Sequence, residues 1–395
     1  MLAPLRGLRF DPAQVGDLGT VVSPPYDVLD AETVRELEAA NRHNVVRLIL
    51  SRRFERPYQV VRERLQDWRR RGVLRTEARP SLYVYEYVVD GASVRGLVGL
   101  VGLRSESSRL VLPHEEVMPE PVEDRVALMR ATGSNLEPIL LVHNGGEALR
   151  ALTDAAMAAA PAADFIALGG SRHRLWVIDD PSVLGKLAGE LEGTRALIAD
   201  GHHRYAAYQR LQRELRSGEP GTSPWDYGLA MLVDDDDSQL RVGPIHRTVA
   251  GLTLADIEDS SATRGDGFRR IEEQQSDRVL EAPPAEDTAR FVVSDGRAWA
   301  VVSTSRTHRV DAAVLHDSVL PAWGVAEQQV GYHHSVGQAL HSLARSPGVL
   351  VEVRPPALTE VMKWAAAGVR MPRKSTSFGP KPQMGVVMRD LADDR

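Results

Sequence analysis

The stretch that most constrains this chain runs from residue 196 to 215 and reads ALIADGHHRYAAYQRLQREL. Its first four residues are apolar and predict a buried strand. Asp200 and Gly201 then predict a turn, after which Ala, Leu and Arg recur at the spacing of a helix. The sequence therefore predicts a strand, a tight turn and a helix in immediate succession.

The first turn of that predicted helix is the strongest candidate site, because it contains His202, His203 and Arg204. Backbone N–H groups at a helix start have no partner within the helix. Together with the helix dipole and a guanidinium they favour an anion, most naturally a phosphate. Gly201 allows the backbone to approach a ligand, and Asp200 is a candidate base or metal ligand. For each residue alone, a capping aspartate and solvated histidines are the simpler interpretation; five such residues in succession favour a site.

The length of the chain, 395 residues, exceeds the size at which one hydrophobic core usually stops growing. We therefore expect two domains: a phosphate-binding domain over residues 1–250, and a second α+β region over residues 251–395 whose C-terminal loop returns to the site. The expected fold is α/β, or α+β, with a mixed sheet. The apolar stretch 44–50, NVVRLIL, predicts one of the strands.

Composition excludes several classes of function. The formal net charge of −6 provides no general attraction to nucleic acid or to an anionic membrane. The absence of cysteine excludes disulfides, thiolate nucleophiles and cysteine-bearing metal sites. The N-terminal residues lack the apolar core of a signal peptide, and no apolar run has membrane-spanning length. We expect a cytoplasmic protein.

Further candidate residues lie beside prolines or predicted strands. Adjacent prolines at 24 and 25 force an extended backbone, which would hold Tyr26 and Asp27 in fixed directions. A histidine stands next to a charged residue at two other places, His114-Glu115 and His246-Arg247. Structural or surface turns are the commoner explanation for such residues when each is taken alone.

The last candidate is residues 371–382, MPRKSTSFGPKP. A P-loop is excluded because Arg373 stands where its second glycine belongs and because the flanking prolines oppose the helix that a P-loop must open. An irregular loop that carries Lys374, Ser375, Thr376 and Lys381 is still equipped to bind an anion. A basic surface loop explains the same residues equally well.

Three of these stretches resemble a known family. The segments SPPYDV (23–28), ADGHHRY (199–205) and MPRKST (371–376) are similar to those of the bacterial and archaeal domain-of-unknown-function family 1015. The similarity runs over essentially the whole chain. This chain departs from the family pattern at Arg373, where a proline is usual, and at Ser377, where a bulky aromatic residue is usual.

A second resemblance reaches further into chemistry. Pro113-His114-Glu115 followed by the Asp-Gly-His-His-Arg helix start resembles the free-serine kinases of the ParB/sulfiredoxin-like superfamily, although this chain has more sequence between the two motifs. The resemblance implies that Glu115 acts as general base and that Asp200 is a second acidic participant. It also implies that the phosphates are held by Gly201, His202, His203 and Arg204.

These observations favour a nucleotide-dependent phosphotransferase with a small hydroxyl substrate, and free L-serine is the first choice. Phosphoryl transfer would use Mg²⁺ held by Asp200, a donor such as ATP or ADP, and Glu115 or Asp27 as base. Lys374, Ser375 and Thr376 would close over the phosphates, and the substrate would meet Tyr26, His114, His246 and Arg247. A ParB-like nucleotide-binding regulator and a metal-dependent phosphoesterase are the alternatives. The protein could form a homodimer under any of these three functions. Neither nucleic acid nor a membrane is an expected partner.

Overall fold

The computed structural model describes residues 1–50, 57–104, 108–216, 218–219, 221–282, 287–306 and 310–394. The chain forms two compact units. Unit 1 contains residues 1–113, 117–240 and 380–395, and unit 2 contains residues 114–116 and 241–379. The division therefore falls at residue 240 rather than at the expected residue 250, and the last sixteen residues belong with unit 1.

Unit 1 is built on a nine-stranded mixed sheet in the order β6-β11-β8-β12-β5-β4-β10-β9, with β1 on β5. Two neighbouring pairs are parallel (β6 with β11, β8 with β12), and the other pairs are antiparallel. The strands of unit 1 are β1 (Leu2–Ala3), β2 (Leu8–Phe10), β3 (Leu74–Thr76), β4 (Leu82–Val89), β5 (Ala92–Gly102), β6 (Val111–Leu112), β7 (Ser134–Asn135), β8 (Ile139–His143), β9 (Ala163–Ile166), β10 (Arg172–Ile178), β11 (Ala196–Asp200), β12 (Tyr227–Asp234) and β21 (Arg389–Asp390). The expected mixed sheet is confirmed.

The helices of unit 1 from residue 119 onward contribute to the core of this sheet, whereas the helices at residues 46–49 and 57–70 pack into a second core with β2 and β3. The helices of unit 1 are α1 (Pro12–Val15), α2 (Ala31–Ala40), α3 (Val46–Ile49), α4 (Pro57–Arg70), α5 (Pro119–Thr132), α6 (Glu147–Met157), α7 (Pro181–Glu190) and α8 (His202–Leu215). Residues of β4, β5, β8, β11 and β12 form the core together with Tyr205, Ala207, Tyr208 and Leu211 of α8. Burial of these apolar faces is the main stabilising contribution. Because α8 is anchored on one side by its apolar residues, its first turn has a fixed position at the end of β11.

The expected strand at residues 44–50 is wrong, because the short helix α3 forms there instead. The Asn44 carboxamide accepts a hydrogen bond from the N–H of Val46 (2.9 Å) and donates to the carbonyls of Thr20 and Val22. Those bonds start a helical turn and tie it to a neighbouring segment. An apolar run of this length cannot by itself distinguish a buried strand from a buried helical turn.

Unit 2 contains a six-stranded antiparallel sheet in the order β15-β17-β16-β19-β14-β18 and a separate pair, β13 with β20. Its strands are β13 (Arg241–Gly243), β14 (His246–Ala250), β15 (Gly267–Ile271), β16 (Thr288–Ser294), β17 (Trp299–Ser305), β18 (Val330–His333), β19 (Gly348–Glu352) and β20 (Ser377–Gly379). Its helices are α9 (Leu254–Arg264), α10 (Ser276–Glu281), α11 (Asp311–Val314), α12 (Leu320–Ala322), α13 (Val336–Leu343) and α14 (Leu358–Ala366). Strand β20 lies within residues 371–382, so that segment is not wholly the irregular loop expected. Within the described ranges, no helix combines the length and apolar character needed to cross a bilayer.

Candidate functional site

The strand, turn and helix predicted around Gly201 are confirmed in unit 1. Strand β11 is buried from residue 196 to 199, and α8 begins at residue 202. Gly201 lies between them with φ of +94°, a conformation that favours glycine. A Cβ at this position would lie 2.9 Å from Cγ2 of Ile139, so the turn is closely packed as well as left-handed.

The start of α8 presents the positive end of a helix just after Gly201. The N-cap residue is Gly201, which has no side chain to cap the helix, and the first bond back into the turn is donated by the N–H of Tyr205 to the carbonyl of Gly201 (2.9 Å). The N–H groups before Tyr205 therefore have no acceptor within the helix. With the positive end of the helix dipole, they favour a negatively charged ligand.

Arg204 was predicted to hold phosphate, and in the structure its side chain is buried and only 2% exposed. Its guanidinium donates to the carbonyl of Pro138 (2.5 Å) and forms an ion pair with Oδ2 of Asp200. Burial would lower the pKa of Arg204, but the nearby carboxylates of Asp200 and Glu137 outweigh burial and raise it. Arg204 thus fixes Asp200 and keeps a permanent charge beneath the turn.

Lys381 completes this group from the C-terminal segment of unit 1. Its Nζ lies 2.7 Å from Oδ1 of Asp200 and 2.7 Å from Oδ2 of Asp27. Burial would raise the pKa of Asp200, but Lys381 and then Arg204 lower it below its usual range. The structure therefore brings Asp27, predicted from the Pro-Pro segment, next to Asp200.

A second layer of charges lies behind Arg204, and sequence reasoning assigned it no role. The guanidinium of Arg125 lies 3.1 Å from Glu137 and 4.4 Å from the centre of the Tyr26 ring. Burial is the main cause that raises the pKa of Tyr26 to about 12. The available signal was Glu137 itself, a carboxylate inside the apolar run LEPILLV, because a buried acid requires a cationic or hydrogen-bonding partner.

The two histidines of the helix start have different surroundings. Nε2 of His203 accepts a hydrogen bond from the N–H of Met118 (3.1 Å), so the neutral ring carries its proton on Nδ1. His202 acts on Asp200 through its charge and contributes to lowering the pKa of that carboxyl. His203 is therefore fixed by the backbone, whereas His202 belongs to the electrostatic environment of Asp200.

These residues do not fit the predicted role of Asp200 as a magnesium ligand. Both of its carboxylate oxygens already face cationic partners, Lys381 and Arg204. Within the described ranges, no group of three or more His, Asp or Glu side chains could hold a metal ion. Mg²⁺ binds through oxygen ligands, and with Lys381 and Arg204 in place both oxygens of Asp200 are already engaged by cations.

The remaining predicted residues form a second group, which lies in unit 2. The Glu115 carboxylate accepts hydrogen bonds from the N–H groups of Lys374 (3.2 Å), Ser375 (3.0 Å) and Thr376 (2.7 Å). The same carboxylate accepts a hydrogen bond from the Thr376 hydroxyl (2.7 Å), and Nε2 of His114 lies 2.8 Å from that hydroxyl oxygen. Lys374 has φ of +57°, so this loop holds a conformation that non-glycine residues seldom adopt. Glu115 therefore shapes the loop that carries Lys374.

Arg247 supports the same loop from β14. This fully buried guanidinium donates to the carbonyls of Lys374 (2.9 Å) and Ile245, and to Nε2 of His316 (3.1 Å). It also lies 5.1 Å from the centre of the Tyr332 ring. Burial lowers its pKa to about 10, and no described carboxylate forms an ion pair with it. His316 and Tyr332 had no sequence signal, because they are distant in the chain from every candidate motif.

Comparison with known proteins assigns the family. The family model described as "Protein of unknown function (DUF1015)" matches residues 2–323. The chain belongs to this family. Among curated proteins, no sequence matches it.

Several solved structures resemble this member of the family at low similarity. Free serine kinase in complex with AMP is 15% identical with a TM-score of 0.40, over 71% of this chain and 87% of that one. A conserved hypothetical protein from Pyrococcus furiosus is 15% identical with a TM-score of 0.40, over 75% and 97%. SbnI with a C-terminal truncation from Staphylococcus aureus is 12% identical with a TM-score of 0.41, over 75% and 90%. Likeness at this level assigns neither a ligand nor an activity to this chain.

Proposed function

We propose that this protein is a nucleotide-dependent phosphotransferase that acts on a small hydroxyl substrate, with free L-serine as the acceptor to test first. The observation that carries the proposal is the positive end of α8, which begins just after Asp200, together with the Lys381 ammonium that contacts Asp200. Transfer of a phosphoryl group depends mainly on positioning and on neutralising the charge of the phosphate oxygens. Helix N–H groups would position the phosphate oxygens, and a fixed ammonium would neutralise their charge. The choice of serine rests on the Pro-His-Glu and Asp-Gly-His-His-Arg motifs of the sequence.

Three carboxylates are candidates for accepting the proton of the substrate hydroxyl. Asp200 has both oxygens in ion pairs, and Glu115 binds three N–H groups of its own loop. The carboxylate of Asp27 has one described partner, Lys381, which contacts Oδ2. A general base must reach the proton that it removes. We therefore favour Asp27, and Glu115 stays a prediction from the motif resemblance.

The test is to incubate the protein with Mg²⁺ and L-serine, separately with ATP and with ADP, and to follow the products by ³¹P NMR. O-phosphoserine formed with one donor is the expected result. Hydrolysis of the nucleotide without phosphoserine would favour the ParB-like nucleotide-hydrolysing alternative. If neither nucleotide changes and neither binds in calorimetry, the phosphotransferase proposal is wrong.

Residue roles are tested with Asp27→Asn. This variant should retain nucleotide binding and lose turnover about a hundredfold or more, since general-base catalysis typically contributes that much. Asp259→Asn is the matched control, because Asp259 is exposed and its side chain has no ion pair among the described residues. Unchanged turnover in Asp27→Asn would exclude Asp27 as the base and return the role to Glu115.

A further inference from the structure

Lys381 occupies an unusual position in unit 1, because two carboxylates converge on its single ammonium. Asp27 Oδ2 and Asp200 Oδ1 each lie 2.7 Å from Nζ. The three side chains are between 13% and 22% exposed, so water screens this contact only partly. Two carboxylate oxygens around one small cation is the arrangement that proteins also use to begin a divalent metal site.

The backbone on both sides of Lys381 is anchored. The hydroxyl of Tyr87 donates to the carbonyl of Pro380 (2.8 Å), and the N–H of Gln383 donates to the hydroxyl of Tyr85 (3.2 Å). Both tyrosines belong to β4 and are buried. A lysine that is held on each side by a buried hydrogen bond is positioned by the fold, unlike a mobile surface lysine.

The anchor at Tyr85 extends further into the core. The Tyr85 hydroxyl, which accepts from the N–H of Gln383, also lies 2.8 Å from Nδ1 of His173, and Nε2 of that ring lies 2.8 Å from Ser171 Oγ. His173 is fully buried, and burial lowers its pKa to about 4, so the ring is neutral at physiological pH. The anchor at Tyr85 is therefore part of a buried chain of hydrogen bonds.

The charges of the group exclude a divalent ion in the same place. Asp200 uses its second oxygen for Arg204, and Arg204 is itself held by the Pro138 carbonyl. A divalent ion between Asp27 and Asp200 would therefore have to displace the Lys381 ammonium from an anchored segment. It would then lie close to that ammonium and to the Arg204 guanidinium, and like charges repel strongly in a partly buried site.

We propose that Lys381 is the resident cation of this site: its ammonium takes the position between Asp27 and Asp200 that a protein-held metal ion would take, and it supplies the positive charge that meets a ligand phosphate. The first half of this proposal stands on the geometry alone. The second half rests on the proposed phosphotransferase function. Asp27 and Asp200 then position Lys381 and do not ligate a metal.

The cation assignment is tested by Mn²⁺ binding, measured by electron paramagnetic resonance in the absence of nucleotide. The wild-type protein should bind no Mn²⁺ with a Kd below roughly 1 mM, the weak end of protein oxygen sites. Lys381→Met should gain one Mn²⁺ per chain, because Asp27 Oδ2 and Asp200 Oδ1 would then face a position without the ammonium and would bind the ion with water as its other ligands. Lys381→Met/Asp27→Asn should lose it again, and Lys186→Met, a change at an exposed lysine of the same unit, should behave as wild type.

Two outcomes would overturn the assignment. The first is a wild-type protein that binds one Mn²⁺ which Asp200→Asn removes, since Asp200 would then be a metal ligand. The second is a folded Lys381→Met variant that binds no Mn²⁺, since the two carboxylates would not form a cation position. If Lys381→Met does not fold by circular dichroism, Lys381→Gln replaces it with the same expectation.

The claim that the Lys381 ammonium meets a ligand phosphate is tested by measuring ADP binding in calorimetry, once with EDTA and once with Mg²⁺. Lys381→Met should weaken ADP binding about tenfold or more in both conditions, because a charge-assisted contact is lost. Equal ADP affinity in Lys381→Met and wild type would contradict this claim. A wild-type protein that binds no ADP would refute the proposed function, while the Mn²⁺ result would still decide the cation assignment.

Discussion

Each unit contains a buried arginine at its candidate site, but the two arginines are neutralised differently. In unit 1, Arg204 faces the Asp200 carboxylate, and Arg125 behind it faces Asp124 and Glu137. In unit 2, Arg247 donates to two carbonyls and one neutral histidine. Burial alone would lower the pKa of both Arg204 and Arg247. The carboxylates reverse this for Arg204, whereas the pKa of Arg247 falls to about 10.

This difference shows what each arginine contributes. A buried charge with a carboxylate partner belongs to a network in which removal of one member leaves the other uncompensated. A buried charge whose direct partners are carbonyls and a neutral ring is held by hydrogen bonds, and its removal leaves those acceptors without donors but breaks no ion pair. Arg204 therefore sets the electrostatics at the start of α8, whereas Arg247 sets the shape of the loop that carries Lys374.

The largest expected effect is that of Arg204→Met. The substitution keeps much of the side-chain volume but leaves Asp200 and Glu137 short of a cation, which should lower the free energy of unfolding by about 3–5 kcal/mol. Urea denaturation followed by circular dichroism measures it. Arg213→Met on the same helix is the control, because Arg213 is exposed and should change stability by less than about 0.5 kcal/mol.

Arg247→Met sharpens this comparison, because it removes an equally buried arginine without creating an unpaired carboxylate. Its expected cost is smaller, about 1–3 kcal/mol, from acceptors left without their donor. Equal losses of stability in Arg204→Met and Arg247→Met would show that the carboxylate partners do not distinguish the two sites.

The next effect concerns pH and the histidines beside Arg247. Burial first, and then the charge of Arg247, lower the pKa values of His246 and His316 to about 4 in the folded protein, against about 6.5 when unfolded. Between pH 6.5 and 4, these two imidazoles are therefore protonated in the unfolded chain but mostly neutral in the folded chain. The free energy of unfolding consequently falls as the pH is lowered. For the buried His246, the free energy of unfolding at pH 4 is lower by roughly 3 kcal/mol than at neutral pH. Above pH 6.5 the protonation of His246 no longer affects stability.

Nitrogen-15 NMR titration of the imidazoles measures these pKa values directly. In Arg247→Met the two values should rise only in part toward 6.5, since burial is the larger cause and remains. A wild-type His316 that titrates near 6.5 would contradict the buried, hydrogen-bonded environment that separates unit 2 from the ion pairs of unit 1.

The smallest expected effect is that of Glu115→Gln. An amide in place of one carboxylate oxygen presents a donor to a backbone N–H, so the loop should lose about 1–2 kcal/mol of local stability. Hydrogen exchange of the Ser375 and Thr376 amides should become faster. Glu116→Gln is the neighbouring control, because its side chain is exposed. Unchanged exchange in Glu115→Gln would show that Glu115 does not shape the loop.

The sequence predicted the elements whose cause is local. The apolar run, the Asp-Gly turn and the helical spacing after it define β11 and α8 correctly, and Gly201 is required by its left-handed backbone. The same local reasoning was wrong for residues 44–50, where the side chain of Asn44 bonds to a distant segment. It also left Asn44, Glu137 and Tyr332 without a role, because their partners are far away in the chain.

By itself, the sequence determined the family, through the motifs at residues 23–28, 199–205 and 371–376, and it predicted candidate site residues there and at 113–115. Only the tertiary structure decided what those residues contact. It buries Arg204 as the partner of Asp200, turns Glu115 onto the 374–376 backbone and inserts Lys381 between two carboxylates. The reason is physical: residue type fixes the charge and hydrogen-bonding capacity of a side chain, whereas its partner depends on contacts between segments far apart in the chain.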